Sequence, residues 1–299
     1  MDIMVTGGTG FIGSHIVQAL VQQGHHVTVL ARNPTKVSGF LDVPGIDFVE
    51  GSLRDRPAIS RALEGKDACI HVALGWGDTA TEMAEGDTVP SLFIFDEAVR
   101  AGVGRIVYTS SIAAFGDPRR RFAEDTTPRP TTLYGATKAA TEAYLLALGA
   151  TEDVRVNIVR PGYTFGGPAV PGASIYADTK LADFADHAKR NETIHVTQDD
   201  GTQFIWVGDL VQVYLAVLAS DATRRLYTGV SADVTTWEEA ARMAIEHCGS
   251  SSEVVAEDRG ADPDMALNDV SPIEHDFGLR FVSKDRLREH MAWLVDTRP

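Results

Sequence analysis

Short β-branched runs alternate with amphipathic stretches through the first half of the chain. IMVT, VTVLA, IDFVEG, ACIHVA, RIVYTS and VNIVRP each read as a strand, with helical periodicity between most of them. That alternation predicts an α/β protein of the Rossmann type, a doubly wound parallel sheet with helices on both faces. After Arg160 the rhythm breaks. A Gly/Pro-rich GYTFGGPAVPGA is followed by a polar helical pattern near residues 174–190, a strand at FIWV and a helix from Asp209. The expected organisation is therefore a sheet domain over residues 1–162, with 203–220 returning to it. Residues 163–202 and 221–299 would build a smaller, interleaved lobe over the C-terminal ends of the strands.

Composition narrows the function classes. A chain of 299 residues that is 44% hydrophobic can bury one good core, or one core with a smaller lobe. The formal net charge of -15 argues against a nucleic-acid or anionic-membrane partner, because the average field repels polyanions. Any anionic ligand has to meet a local cationic cluster. Only two cysteines occur, and Cys69 lies inside an apolar run, which disfavours a disulfide framework or a cysteine-ligated zinc and suits a reducing cytoplasm. The chain opens directly on a strand, without a basic and apolar leader, and no apolar run approaches the roughly 18 residues of a membrane span. The expectation is a cytoplasmic protein that is neither exported by a standard signal nor membrane-spanning.

TGGTGFIGSH follows the first strand and opens a helix, with Gly7, Gly10 and Gly13 spaced GxxGxxG. Glycine at these positions permits a tight turn and lets the backbone approach a pyrophosphate at the helix N-terminus. In this context the motif points to a dinucleotide rather than a structural turn. The second strand ends VTVLARNPTK, where an acidic residue would accept hydrogen bonds from the adenosine ribose of NAD. Ala31 leaves that position empty while Arg32, with Lys36 nearby, supplies positive charge, so NADP(H) is favoured and NAD(H) possible. Ser52, with Leu53 beside it in GSLRD, is expected near the adenine.

In YGATK, Tyr134 and Lys138 are four residues apart and share a helix face. A nearby ammonium and a positively charged nicotinamide ring would stabilise the phenolate, so Tyr134 can exchange a proton with a substrate hydroxyl. Lys138 can also hold the cofactor ribose. The preceding strand ends at Ser110 and Ser111, either of which can hydrogen-bond the substrate oxygen.

TGGTGFIG, YTSSIAAFG, YGATK and RPGYTFGGP, in this order, resemble the extended short-chain dehydrogenase/reductase family, also described as the NAD-dependent epimerase/dehydratase family. The resemblance covers nearly the whole chain. It implies Tyr134 as catalytic acid/base, Lys138 as its partner and Ser111 as the catalytic serine, with Ser110 as understudy. It also implies that Gly7, Gly10, Phe11, Ile12 and Gly13 line the pyrophosphate, Ala73 and Leu74 the adenosine side, and Pro161 and Gly162 the nicotinamide end. A homodimer through the Tyr/Lys helix and the helix at about Asp87 to Ala101 is a further family-level expectation.

Departures from the family pattern narrow the reaction. Ile112 and Ala113 stand where nucleotide-sugar dehydratases of this type carry the aspartate and glutamate of elimination. Thr202 stands where many nucleotide-sugar members have an arginine for the diphosphate, although Arg224, Arg225 or another residue could replace it. The leading expectation is an NAD(P)-dependent oxidoreductase that moves hydride between nicotinamide and a small-molecule carbonyl or secondary alcohol. The alternative is an NAD-dependent (nucleotide-)sugar epimerase, and a third is a non-catalytic NADPH-binding sensor. Arg119, Arg120 and Arg121 read as a solvated loop more readily than as an anion site. Trp76 and Trp206 are equally at home in a substrate wall or in packing. His25, His26 and His71 lack metal-ligand spacing, and no metal is expected.

Overall fold

The computed structural model of the chain describes residues 1–116, 126–175, 179–261 and 267–298. Its first half runs β1 (Asp2–Thr6), α1 (Phe11–Gln22), β2 (His26–Ala31), β3 (Ile46–Glu50), α2 (Arg56–Leu63), β4 (Ala68–His71) and α3 (Ala80–Met83). A π-helical turn (Ala84–Thr88) leads into α4 (Val89–Arg100), followed by β5 (Arg105–Thr109), α5 (Leu133–Thr151) and β6 (Arg155–Pro161). All six expected strands form.

The second half comprises β7 (Tyr163–Phe165), α6 (Lys180–Lys189), β8 (Ile194–Thr197), β9 (Gly201–Thr202), β10 (Phe204–Trp206) and α7 (Val207–Ala219). It continues through β11 (Arg225–Gly229), β12 (Thr235–Thr236), α8 (Trp237–Cys248), β13 (Val254–Glu257), α9 (Ser271–Phe277) and α10 (Lys284–Thr297). The pairs β7/β10, β8/β13 and β9/β12 form three small two-stranded sheets.

The main sheet has the order β11-β6-β5-β4-β1-β2-β3, and every neighbouring pair in it is parallel. This is the Rossmann-type fold expected from the alternating pattern. The order in which successive strands are added reverses between β1 and β4, so the carboxyl ends of those two parallel strands flank the crevice where open α/β sheets take ligands. Side-chain alternation explains why the strands read as continuous apolar runs. In β1, Ile3 and Val5 join a cluster with Ile16, Val17 and Leu20 of α1 and Leu210, Val213 and Tyr214 of α7. Met4 faces the other layer, with Ile59 of α2, Ile94 and Phe95 of α4 and Leu145 of α5.

One stretch differs from the sequence expectation. Arg225–Gly229, placed above in the smaller lobe, is the seventh strand of the main sheet, pairing with Asn157–Pro161 of β6. Its apolar core is only Leu226-Tyr227, and the arginines at its entrance mask the strand pattern. Ile273 and Phe277 of α9 pack on the same face of the sheet. A third apolar cluster draws Phe184 from α6, Trp237 and Met243 from α8, and Leu287 and Met291 from α10 around Phe165 and Phe204. Among the described residues no helix is long and apolar enough to cross a membrane.

Candidate active site

The loop after β1 is compressed to the point where side chains are excluded. Gly7 sits at φ +69°, and a Cβ there would lie 2.7 Å from the Ala73 amide nitrogen. At Gly13 a Cβ would lie 2.1 Å from the Gly7 carbonyl oxygen. The Gly10 amide donates to that same carbonyl at 2.8 Å, closing the turn. Helix α1 then starts with Gly10 at its N-cap and no acidic residue in its first turn, so its N-terminus meets the crevice without a competing carboxylate.

A chain of hydrogen bonds holds the neighbouring loop after β4 against this turn. The Ser91 hydroxyl donates to the Asp87 carbonyl (2.6 Å), so it accepts from Nε2–H of His71 (2.8 Å). Nδ1 of His71 then accepts from the Thr6 hydroxyl (2.6 Å), whose oxygen takes the amides of Val72 and Ala73, both at 3.1 Å. Burial, helped by the Lys138 charge, pushes the His71 pKa down to about 3, so the imidazole is neutral and structural. Cys69 beside it is fully buried, which pushes its thiol up to about 12. Among the described residues no group of His, Cys, Asp or Glu is arranged to hold a metal ion.

The residues singled out in the sequence converge on one cleft of about 730 Å³. Gly7, Gly10, Phe11, Ile12 and Gly13 line it from the β1 loop, and Arg32, Ser52 and Leu53 from the ends of β2 and β3. Ala73 and Leu74 follow β4; Ser110 and Ser111 follow β5; Pro161 and Gly162 close β6; Tyr134 and Lys138 project from α5. Lys36 and Arg54 also line it on the β2/β3 side, so three cations gather there, and the Lys36 ammonium donates to Ser174 Oγ at 3.1 Å.

Helix α5 begins where the Thr132 side chain accepts the Gly135 amide, which sets Tyr134 in the first turn and Lys138 one turn further in. The Lys138 side chain is 3% exposed. Its Nζ lies 3.4 Å from Asp87 Oδ2 and 5.8 Å from the centre of the Tyr134 ring. Burial raises the Tyr134 pKa above the ordinary phenol value; a hydrogen bond with Ser111 works the other way, and the Asp87 charge adds to the rise. Burial lowers the Lys138 pKa, opposed by Asp87 and by Glu142. Ser111 thus meets the tyrosine, whereas Ser110 Oγ is buried with no hydrogen-bond partner among the described residues. The buried guanidinium of Arg160 grips Glu142 with Nε–Oε1 at 2.7 Å and Nη2–Oε2 at 2.5 Å, tying the end of β6 to α5.

Other candidates separate clearly. The Trp76 ring, 67% exposed, stands 6.2 Å from that of Tyr134 in the cleft wall. Trp206 is not among the cleft residues and lies under the Arg286 guanidinium, 4.8 Å from ring centre. Arg225 pairs with Asp276 at 3.4 Å at the start of β11, and Arg224 precedes it, so both sit at the end of the sheet away from the cleft and cannot replace a diphosphate anchor there. Arg119, Arg120 and Arg121 fall outside the described residues. Sequence reasoning missed Asp87, because a carboxylate in AEGDT reads as solvated; the proline-started helix just after it was the available signal that this turn is structured.

A glycine-lined crevice at the switch point of a parallel sheet, with the half-buried Tyr134 and the buried Lys138 at its other end, defines a protein of the dinucleotide-binding fold. The sequence pattern of the NAD dependent epimerase/dehydratase family matches residues 3–228, and the chain belongs to that family. It is 36% identical over 174 residues to sterol demethylase protein B of Methylococcus capsulatus, covering 56% of this chain and 52% of that one. It is 37% identical over 158 residues to UDP-glucose 4-epimerase of Neisseria meningitidis serogroup B, covering 48% and 47%. The chain thus spans about half the length of the curated relatives it matches. Among solved structures, dTDP-glucose 4,6-dehydratase DesIV of Streptomyces venezuelae with NAD bound superposes with a TM-score of 0.83 at 24% identity, covering 100% of this chain and 98% of that one.

Proposed function

We propose that the chain is an NAD(P)-dependent oxidoreductase that transfers hydride between nicotinamide and a small-molecule carbonyl or secondary alcohol. The observation that carries this reading is the meeting of the glycine turn, Ser111, Tyr134 and Lys138 in one cleft. The crowding at Gly7 and Gly13 fits a loop whose amides, rather than side chains, take a pyrophosphate. Ser52, Leu53, Ala73 and Leu74 would take the adenosine half, and Lys138, Pro161 and Gly162 the nicotinamide half. A bound nicotinamide supplies or accepts the hydride. Tyr134 holds the proton that goes to or comes from the substrate oxygen, Ser111 hydrogen-bonds that oxygen, and the Lys138 charge steadies the phenolate. The sheet and its helices serve the cofactor, and the elements around the third apolar cluster serve the substrate. A homodimer through α4 and α5 is favoured by Val89 and Tyr144, large apolar side chains exposed on these helices.

Arg32, Lys36 and Arg54 at the β2/β3 end favour NADPH over NADH. Paired titrations of the two cofactors test this, and Arg32→Ala should cut the preference for NADPH by about 10- to 150-fold, the worth of one charge-assisted contact of about 1.5–3 kcal/mol. An unchanged ratio removes Arg32 as the phosphate reader. Gly13→Ala forces the turn to move; overpacking of this kind costs about 1–3 kcal/mol, which should appear as a loss of about 5- to 150-fold in dinucleotide affinity. Wild-type affinity in that variant would mean that the turn does not hold the cofactor.

The second reading, a redox-neutral sugar epimerase, is favoured by the relative named as UDP-glucose 4-epimerase and by the NAD-bound dehydratase. NAD surviving purification, with a sugar nucleotide epimerised and no net reduction of carbonyls, would put it first.

A further inference from the structure

Asp87 is a wholly buried carboxylate that the reaction just described does not use. A buried charge persists only where partners compensate it. Asp87 sits on the π-helical turn before α4, an irregularity found often at functional sites. Its Oδ1 accepts the amide of Gly75, next to the Trp76 that faces Tyr134. Its Oδ2 lies 3.4 Å from Lys138 Nζ.

The groups facing this pair come from three further elements. From β4 comes His71, neutral at ordinary pH. Tyr108 on β5 has its ring centre 5.1 Å from Lys138 Nζ, and burial holds it far above the usual phenol range, so it is also uncharged. From α5 come Tyr134, Lys138 itself and Glu142, whose charge is already engaged by Arg160. The local balance at Tyr134 therefore comes down to one cation and one anion, Lys138 and Asp87. An unopposed lysine would draw the phenol toward phenolate; a carboxylate beside the lysine cancels most of that pull.

The geometry points to Asp87 as a positioning counter-ion that keeps Tyr134 protonated and so biases the cleft toward reduction. This rests on the reading of Tyr134 as the proton-transfer group. In reduction the carbonyl carbon gains a hydride from reduced nicotinamide while the Tyr134 O–H bond breaks and its proton passes to the carbonyl oxygen. The phenolate then recovers a proton from water. A tyrosine that stays protonated at neutral pH is the acid this direction needs, and a site built for alcohol oxidation would gain from the opposite arrangement.

Asp87→Asn removes the charge and keeps an acceptor for the Gly75 amide. Phenolate absorbance across a pH titration, taken as the difference between each protein and its Tyr134→Phe counterpart, isolates Tyr134. With Asp87 replaced, Tyr134 should ionise at a pH lower by about one unit or more. The alkaline limb of the rate of carbonyl reduction should move down by the same amount. A merely structural Asp87 would lower stability or overall rate and leave the ionisation where it was; that result, or an upward shift, overturns the inference. Should the variant not fold, the Asp87 side-chain carboxyl carbon in the unmutated protein is followed by NMR over the same range. An inflection at the Tyr134 transition supports the coupling, and a flat trace overturns it. The phenolate titration needs no substrate, so a shifted titration without any turnover would leave the coupling in place and remove only the oxidoreductase reading.

Discussion

Tyr134→Phe is expected to lower kcat by about 10²- to 10⁴-fold, the range that a positioned proton-transfer group supplies, and to leave dinucleotide affinity at the wild-type value. The substitution removes one oxygen and keeps the ring, so the packing against Trp76 survives. Lys138 keeps Asp87 as its partner. What disappears is the only phenol that both lines the cleft and hydrogen-bonds Ser111 among the described residues. The measurement is steady-state kinetics on a carbonyl substrate found by screening with NADPH, paired with cofactor titration of the same preparation. A loss of less than about tenfold would be too small for acid/base chemistry. Loss of cofactor binding together with turnover would show that the ring holds the site's shape instead.

The second large effect concerns stability. Glu142→Ala should cost about 3–5 kcal/mol in denaturant unfolding, because it strands the guanidinium of Arg160 without its countercharge. Both side chains of the pair are at most 3% exposed, so water cannot replace the lost partner, and among the described residues the Arg160 side chain keeps its stacking over Phe115, 4.1 Å from the ring centre. Replacing both residues with apolar ones of similar volume should recover much of the loss, since a buried pair is costly to form and far costlier to halve. A single-variant loss below about 1 kcal/mol, typical of an exposed pair, would contradict the buried bidentate geometry.

Much of this was legible because burial writes itself into sequence. Strands covered on both faces must be apolar at successive positions, and IMVT, VTVLA and ACIHVA announce themselves for that reason. The cleft was legible through spacing: glycines three apart after a strand, and a tyrosine and lysine one helical turn apart, are geometric statements before they are chemical ones. β11 was hidden because a short edge strand entered by two arginines carries little of that signal. Arg54 and Asp87 were hidden for another reason. Neither has a spacing rule relative to the residues it meets; Asp87 reaches Lys138 only through the packing of the π-helical turn on α5, a contact 51 positions apart in the chain. The arginines Arg224 and Arg225 show the converse, charged residues whose type suits an anion but which the strand direction carries to the wrong end of the sheet.

The path of the chain through the sheet bears on how such a protein can diversify. The polypeptide leaves the sheet after β6, builds β7 to β10, returns as α7 and β11 to cover and extend the sheet, and leaves again for α8 and α10. A cut directly after Pro161 therefore strips the α7 residues Leu210, Val213 and Tyr214 from the face of Ile3 and Val5. A single terminal exchange thus cannot carry over the proposed substrate side without also replacing part of the cover of the main sheet. New selectivity has to arise by point changes and loop insertions within a continuous gene, or by grafting two separated segments at once, and chimaeras joined at one crossover near residue 162 should be recovered insoluble.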